Sequence, residues 1–239
     1  MTLRVVVVYP DLLGTYGDGG NGLVLARRAE WRGIETELIQ APSDAPLPRG
    51  EIYCLGGGED GPQSQAADAL QRDGMLGAAA SDGAVVLAVC AGYQIVGRTF
   101  PSATGDPLEG LGLLAIDTVK GSGPRAVGEV VADPIESDLP VLTGFENHAG
   151  VTMLADGTAP LARVRTGIGN GGADGTEGAR QNKVLGTYLH GPVLARNPAL
   201  ADLLLSFALG RSELEPLADE RELALRSERL TSVGRRSAR

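Results

Sequence analysis

Cys90 closes the apolar run Val85–Val89 and is followed at once by Ala91 and Gly92. With Ala88 two positions before it and Gly92 two after, the thiol has the layout of a nucleophile elbow. That strand-to-helix turn is so sharp that little beyond Ala or Gly fits at its flanks. The competing reading is packing, because a free cysteine behaves as a small hydrophobe. A nucleophilic thiol needs a base, and the chain has only two histidines. His190 ends the run Val184–Leu189, whereas His148 lies in GFENHAG, in a turn between two short strand-like runs. A strand end makes His190 the better base. The third feature is Gly56-Gly57-Gly58, directly after the run Glu51–Leu55. Backbone free of side chains can aim its N–H groups at a ligand there. Next to an acyl-transferring thiolate, these N–H groups and that of Ala91 would form an oxyanion hole. Cys54 lies inside the run before the glycines and reads as a core residue.

These groups act together only if the fold brings them to one edge. Leu3–Tyr9 is a strand-like run rich in β-branched residues, followed by a Gly-rich turn and helical spacing over Gly22–Arg32. Strands are expected at Ile34–Ile39, Glu51–Leu55 and Ala84–Val89, and helices at Gln63–Ala80 and Tyr93–Phe100. This alternation, with near-continuous apolar strands, predicts an α/β fold: an open, mostly parallel sheet with helices on both faces. Ligands of such sheets bind at the carboxyl ends of the strands, where Cys90, the glycines and His190 all fall. The helix after Cys90 would favour its thiolate through its dipole and unpaired N–H groups. In the second half, short strands are expected at Leu113–Val119, Gly128–Ala132, Val141–Phe145, Gly150–Met153, Leu161–Arg165 and Val184–Leu189. A glycine loop spans 167–178 and a helix Pro198–Leu209. Residues 1–210 thus make one domain. The stretch 211–239 mixes both signs of charge with leucines and is expected to form a surface helix and a frayed end.

Composition narrows the function. Thirty acidic against 21 basic residues give a net charge of −9, which argues against a nucleic-acid partner. The amino-terminal apolar run is too short for a signal peptide, and no later run reaches the length of a membrane span. Two cysteines do not make a disulfide framework, so a cytoplasmic protein with reduced thiols is expected. No phosphate loop appears, since GIGNGG does not sit between a strand and a helix. Neither a metal site nor a cofactor is expected in this chain.

Strand–GGG, strand–CAGYQ and GTYLHG, in this order, resemble the class I, triad-type glutamine amidotransferases, a family of flavodoxin-like fold. Within it the likeness is to the cobyric-acid-synthase-like branch. YPDLLGTYGDGGN, GGGED with Gln63, GSGPR, GFENHAG and the glycine loop are more similar still to the glutaminase subunits of lipid II isoglutaminyl synthase, over residues 3–209. The resemblance implies that Cys90 attacks the side-chain amide of L-glutamine to form a thioester, with His190 protonating the departing ammonia and then activating water. Gly57 and Ala91 would hold the oxyanion. Arg125, by its own surroundings an ordinary loop arginine, would clamp the α-carboxylate of glutamine by a two-point contact.

The resemblance also implies a Mur-ligase-like partner in a heterodimer, working at the inner face of the membrane. That partner would hold ATP and Mg and use the ammonia to amidate the α-carboxyl of D-glutamate in the lipid II stem peptide. One position departs from the wider family. Many triad amidotransferases carry a glutamate two residues after the histidine, and here that residue is Pro192. The implied solution is an aspartate from the partner, with Asp18 and Glu146 as in-chain alternatives, and YGDGGN and the acidic surface assigned to the interface. Other readings of the same residues are an ammonia source for cobyrinic-acid-type or other amidation, a Cys–His hydrolase or peptidase, and a silent binding subunit.

Overall fold

The computed structural model describes residues 2–136 and 139–237. The first half runs β1 (Leu3–Val8), α1 (Gly20–Glu30), β2 (Thr36–Ala41), β3 (Ile52–Leu55), α2 (Asp60–Asp73), α3 (Met75–Ser81), β4 (Val85–Val89) and α4 (Ala91–Ile95). Next come β5 (Thr99–Pro101), β6 (Pro107–Glu109), β7 (Ile116–Lys120), β8 (Ala126–Pro134), β9 (Leu142–His148) and β10 (Gly150–Leu154). The chain ends with β11 (Ala162–Thr166), β12 (Thr176–Glu177), β13 (Ala179–Gln181), β14 (Val184–Thr187), α5 (Val193–Arg196), α6 (Pro198–Leu209) and α7 (Glu220–Ser237).

The main sheet has the order β13-β14-β4-β3-β1-β2, parallel throughout except for β13. Every residue of β3, β4 and β14 is buried, which is why these strands read as unbroken apolar runs and not as alternating ones. Because β1, β3, β4 and β14 run the same way, the segments that follow them emerge at one edge. Those segments carry Asp18, Gly57, Cys90 and His190. Two four-stranded sheets, β10-β7-β5-β6 and β12-β11-β8-β9, are built from the short strands of the second half. Asn147 and His148 lie at the end of β9.

Two expected helices differ. Gln63–Ala80 is divided into α2 and α3 at Gly74, whose φ of +70° makes a left-handed cap. The helix expected over Tyr93–Phe100 stops at Ile95, because the chain turns at Gly97 and enters β5, where Arg98 N–H donates to Ile116 O at 2.8 Å.

The charged carboxyl-terminal stretch packs on the domain through arginines. Arg28 of α1 is buried and reaches both oxygens of Asp202 (2.8 and 2.7 Å) and both of Asp219 (2.7 and 2.8 Å). Burial works against the charge on Arg28, but its carboxylate partners outweigh that and raise its pKa. Arg226 of α7 is also buried and donates to Arg196 O (3.1 Å) and Asn197 Oδ1 (2.8 Å), bracing the segment that follows His190. Removing one member of a buried ion cluster strands the others. Both aspartates keep some solvent, so Arg28→Ala should destabilise by about 3 kcal/mol, the low end for such sites. In a thermal melt this reads as a fall of roughly 6–12 °C in Tm. No helix among the described residues is long and apolar enough to cross a membrane.

Candidate active site

At the end of β4 the backbone reverses on Cys90, whose φ of +54° and ψ of −105° lie where side-chain-bearing residues are rarely found. The neighbours over-determine the turn. Cys90 N–H donates to Thr187 O of β14 at 2.9 Å, and Gly92 N–H donates to Gly56 O at 3.1 Å. A Cβ on Gly92 would lie 2.6 Å from Leu55 Cβ, so the small residue after the cysteine is a steric requirement. The Cys90 sulfur lies 3.9 Å from Asn147 O.

His190 is held by an antiparallel bridge to Phe145, its N–H donating to Phe145 O at 2.8 Å and its carbonyl accepting from Phe145 at 3.1 Å. Its Nδ1–H donates to Asp18 Oδ2 at 2.8 Å, which leaves Nε2 as the nitrogen not held by the carboxylate. Nε2 is buried, and the ring interacts with the Cys90 side chain as well as with Asp18. Burial would lower the pKa of this imidazole, but Asp18 and the adjacent Cys90 outweigh it and raise it to about 9. That shift favours the protonated ring at neutral pH.

Of the two in-chain alternatives for the carboxylate, Asp18 is the one beside the histidine, 1% exposed in the YGDGGN motif. The other in-chain alternative, Glu146, is engaged elsewhere, accepting the N–H groups of Ile168 (2.8 Å) and Gly169 (2.9 Å). YGDGGN also braces the turn after His190. Asn21 Oδ1 accepts Leu194 N–H at 3.0 Å, and a Cβ on Gly20 would come within 2.5 Å of Pro192. The motif cradles the turn after His190, with Pro192 packed against Gly20.

Gly57 is also placed differently from expectation. Its N–H donates to Asp18 Oδ2 at 3.0 Å and is not free for an oxyanion. Its lack of a Cβ serves the imidazole, since one would sit 2.8 Å from both His190 Cε1 and Tyr16 Cδ2. Gly57→Ala should therefore displace His190 and lower turnover by at least about tenfold, since small misplacements of catalytic groups are expensive. Steady-state kinetics on the folded variant would measure it. It is Gly58 that lines the pocket with Cys90 and Ala91, and no described residue accepts the N–H of Gly58 or Ala91.

That pocket has a volume of about 260 Å³, and Gln63, Gln94, Arg125 and Lys120 also line it. Arg125 thus joins Cys90 and Ala91 at one cavity. Its Nε donates to Asn147 Oδ1 at 2.5 Å and its Nη2 to Asn147 O at 3.0 Å. Sequence reasoning passed over Gln94 and Asn147. Gln94 had a signal, standing four residues after Cys90 and so on the same helical face. Its amide accepts from Gln63 (2.8 Å) and donates to Tyr188 (3.1 Å). The second histidine, His148, is buried, stacked on Tyr188 at 3.7 Å between centroids, with Nδ1 3.0 Å from Gly150 O.

Cys54 is buried, and burial pushes its thiol up to about 12. A thiol reagent should label one cysteine of the native protein, Cys90, and Cys90→Ala should take up no label before unfolding. Mass spectrometry of tryptic peptides reads this directly.

Residues 4–198 match the family model of the CobB/CobQ-like glutamine amidotransferase domain. The chain belongs to this family. Among its relatives is the lipid II isoglutaminyl synthase (glutamine-hydrolyzing) subunit GatD of Streptococcus pneumoniae. It is 36% identical over 211 residues, covering 87% of this amidotransferase and 80% of the relative. The subunit of the same name from Staphylococcus aureus is 35% identical over 226 residues, covering 92% and 90%. A crystal structure described as a glutamine amidotransferase superposes with a TM-score of 0.60 at 21% identity, covering 85% of this chain and 98% of that one. That likeness bears on the fold alone.

Proposed function

We propose that this amidotransferase is the glutaminase subunit of a lipid II-amidating enzyme, with Cys90, His190 and Asp18 as its triad. The observation that carries the chemistry is the line from Asp18 through Nδ1 of His190 to Cys90, beside a pocket that holds Arg125. In this reading the guanidinium of Arg125 clamps the α-carboxylate of glutamine. The Cys90 thiolate then attacks the side-chain amide carbon, and the oxyanion rests on the N–H groups of Gly58 and Ala91. The imidazolium gives its proton to the departing nitrogen, ammonia leaves, and a thioester remains. Water, deprotonated by His190, then releases glutamate.

The acceptor is argued from the relatives. Two subunits of lipid II isoglutaminyl synthases align along 80% and 90% of their own length. Ammonia from Cys90 would pass to a Mur-ligase-like partner that holds ATP and Mg and amidates the D-glutamate α-carboxyl of the stem peptide.

The test uses L-glutamine labelled with ¹⁵N in the side-chain amide, the lipid II acceptor, ATP, Mg and a candidate ligase subunit. Glutamate release with ¹⁵N in the acceptor is the expected result. Glutamate release with no label transfer would sink the acceptor assignment, and no glutamate release by the complex would sink the glutaminase.

A further inference from the structure

We infer that Asn147 is a positioning residue for glutamine capture, fixing the guanidinium of Arg125 so that one edge of it is left for the substrate carboxylate. The inference rests on the proposed role of Arg125. Arg125 immediately precedes β8, and the β8–β9 register pairs Val127 with Asn147, which sets the two side chains beside each other. Arg125 is otherwise an exposed loop residue. Asn147 takes up one side of it: Oδ1 accepts Nε–H at 2.5 Å, and the main-chain oxygen accepts from Nη2 at 3.0 Å. A guanidinium has five N–H donors. With Nε–H and one Nη2 proton engaged, one proton of Nη1 and one of Nη2 remain on the end-on edge, enough for the two-point contact that a carboxylate makes.

The amide of Asn147 is itself oriented. Arginine only donates, so Oδ1 must face it, and Nδ2 then donates to Tyr16 OH at 3.4 Å. Tyr16 OH donates in turn to Glu59 at 3.3 Å, while the Tyr16 ring lies against His190 at 4.6 Å between centroids. Asn147 also presents its main-chain carbonyl to the Cys90 sulfur at 3.9 Å. Asn147 therefore sets the distance between the carboxylate clamp and the nucleophile. Ordering a long arginine before the ligand arrives is a preorganisation effect, which strengthens binding without touching the chemical step.

The experiment follows alkylation of Cys90 by an electrophilic glutamine analogue bearing an α-carboxylate. It compares wild type, Arg125→Ala, Asn147→Ala, Asn147→Asp and the Arg125→Ala/Asn147→Ala double variant. Arg125→Ala should raise the half-saturating concentration roughly a hundredfold, and Asn147→Ala roughly tenfold. The limiting rate should change less than about twofold, since uniform binding is what is lost. The double variant should be no weaker than Arg125→Ala alone, because Asn147 acts only through the arginine. Asn147→Asp keeps the shape but places a negative charge on the guanidinium, and should also bind more weakly than wild type.

The outcomes separate. Unchanged saturation in Arg125→Ala would overturn the role of Arg125 itself. A weakened Arg125→Ala with an unaffected Asn147→Ala, with losses that multiply in the double variant, or with wild-type affinity in Asn147→Asp, would overturn the inference and leave that role standing. An analogue with a neutral carboxamide in place of the α-carboxylate should bind wild type and Asn147→Ala alike. A loss with this analogue too would mark Asn147 as merely structural.

Discussion

Asp18→Asn should lower glutamine turnover by on the order of 10² to 10⁴-fold, the upper figure being what triad carboxylate-to-amide changes reach in serine enzymes. The substitution keeps the shape and removes the charge. An amide facing Nδ1 can also offer a donor where the carboxylate offered an acceptor, which moves the imidazole proton to the wrong nitrogen. The second readout is pH. With Asp18 present the His190 pKa stands at about 9, above its ordinary value of 6.5, so the imidazolium that protonates the departing nitrogen persists up to that pH. Turnover should fall as pH rises through about 9 in the wild type. In Asp18→Asn that alkaline limb should shift toward the ordinary histidine range. Stability follows the same sign: a pKa raised on folding stabilises fully below the unfolded value and is lost as pH climbs through the folded one. If Asp18→Asn turns over glutamine like wild type in the assembled complex, the working carboxylate belongs to another chain.

Cys90→Gly should abolish turnover, by on the order of 10⁶-fold if nucleophile loss acts as it does in other acyl-transfer triads, and yet melt no lower than wild type. The two halves of this prediction have separate causes. Without a thiol there is no thioester and no second route to the amide carbon. The backbone at Cys90, however, sits at φ +54° and ψ −105°, a conformation that holds roughly 1–3 kcal/mol of strain in a residue with a side chain. Glycine relieves that strain and gives up the packing of one small side chain and some chain entropy, so the terms nearly cancel. Cys90→Ala keeps the strain and loses the sulfur, and should be the less stable of the two. Calorimetry on both variants, with glutaminase assays on the same samples, checks the pair. A Cys90→Gly protein clearly less stable than Cys90→Ala would show that the turn is not strained.

What could be read from the sequence followed the physics of each element. Val5–Val8 and Val85–Val89 lie in a sheet buried on both faces, so their apolar runs were unambiguous, and the strand ends then located Cys90 and His190. The three-residue strands at Thr99–Pro101 and Pro107–Glu109 carry too few apolar positions for any period to show, and the helix expected across Phe100 hid the first of them. The glycine loop was legible as a loop but not in its division of labour. Which N–H turns toward Asp18 and which toward the pocket depends on one residue of backbone rotation. The carboxylate was legible only as one of two in-chain alternatives, Asp18 and Glu146, set behind an aspartate from a partner. A search for it near His190 meets Pro192, while the group in contact with the ring lies 172 positions away in sequence. No spacing rule reaches that far; only the adjacency of β1, β3, β4 and β14 does.

That distance has a consequence for when the enzyme becomes active. Cys90 is synthesised a hundred residues before His190, on a set of parallel strands that can begin to collapse without it. The base arrives only after β14 docks against β4, a late, long-range closure of the kind that dominates folding time in such topologies. On the roles proposed for Cys90 and His190, a chain without β14 in place would carry the thiol and lack its base.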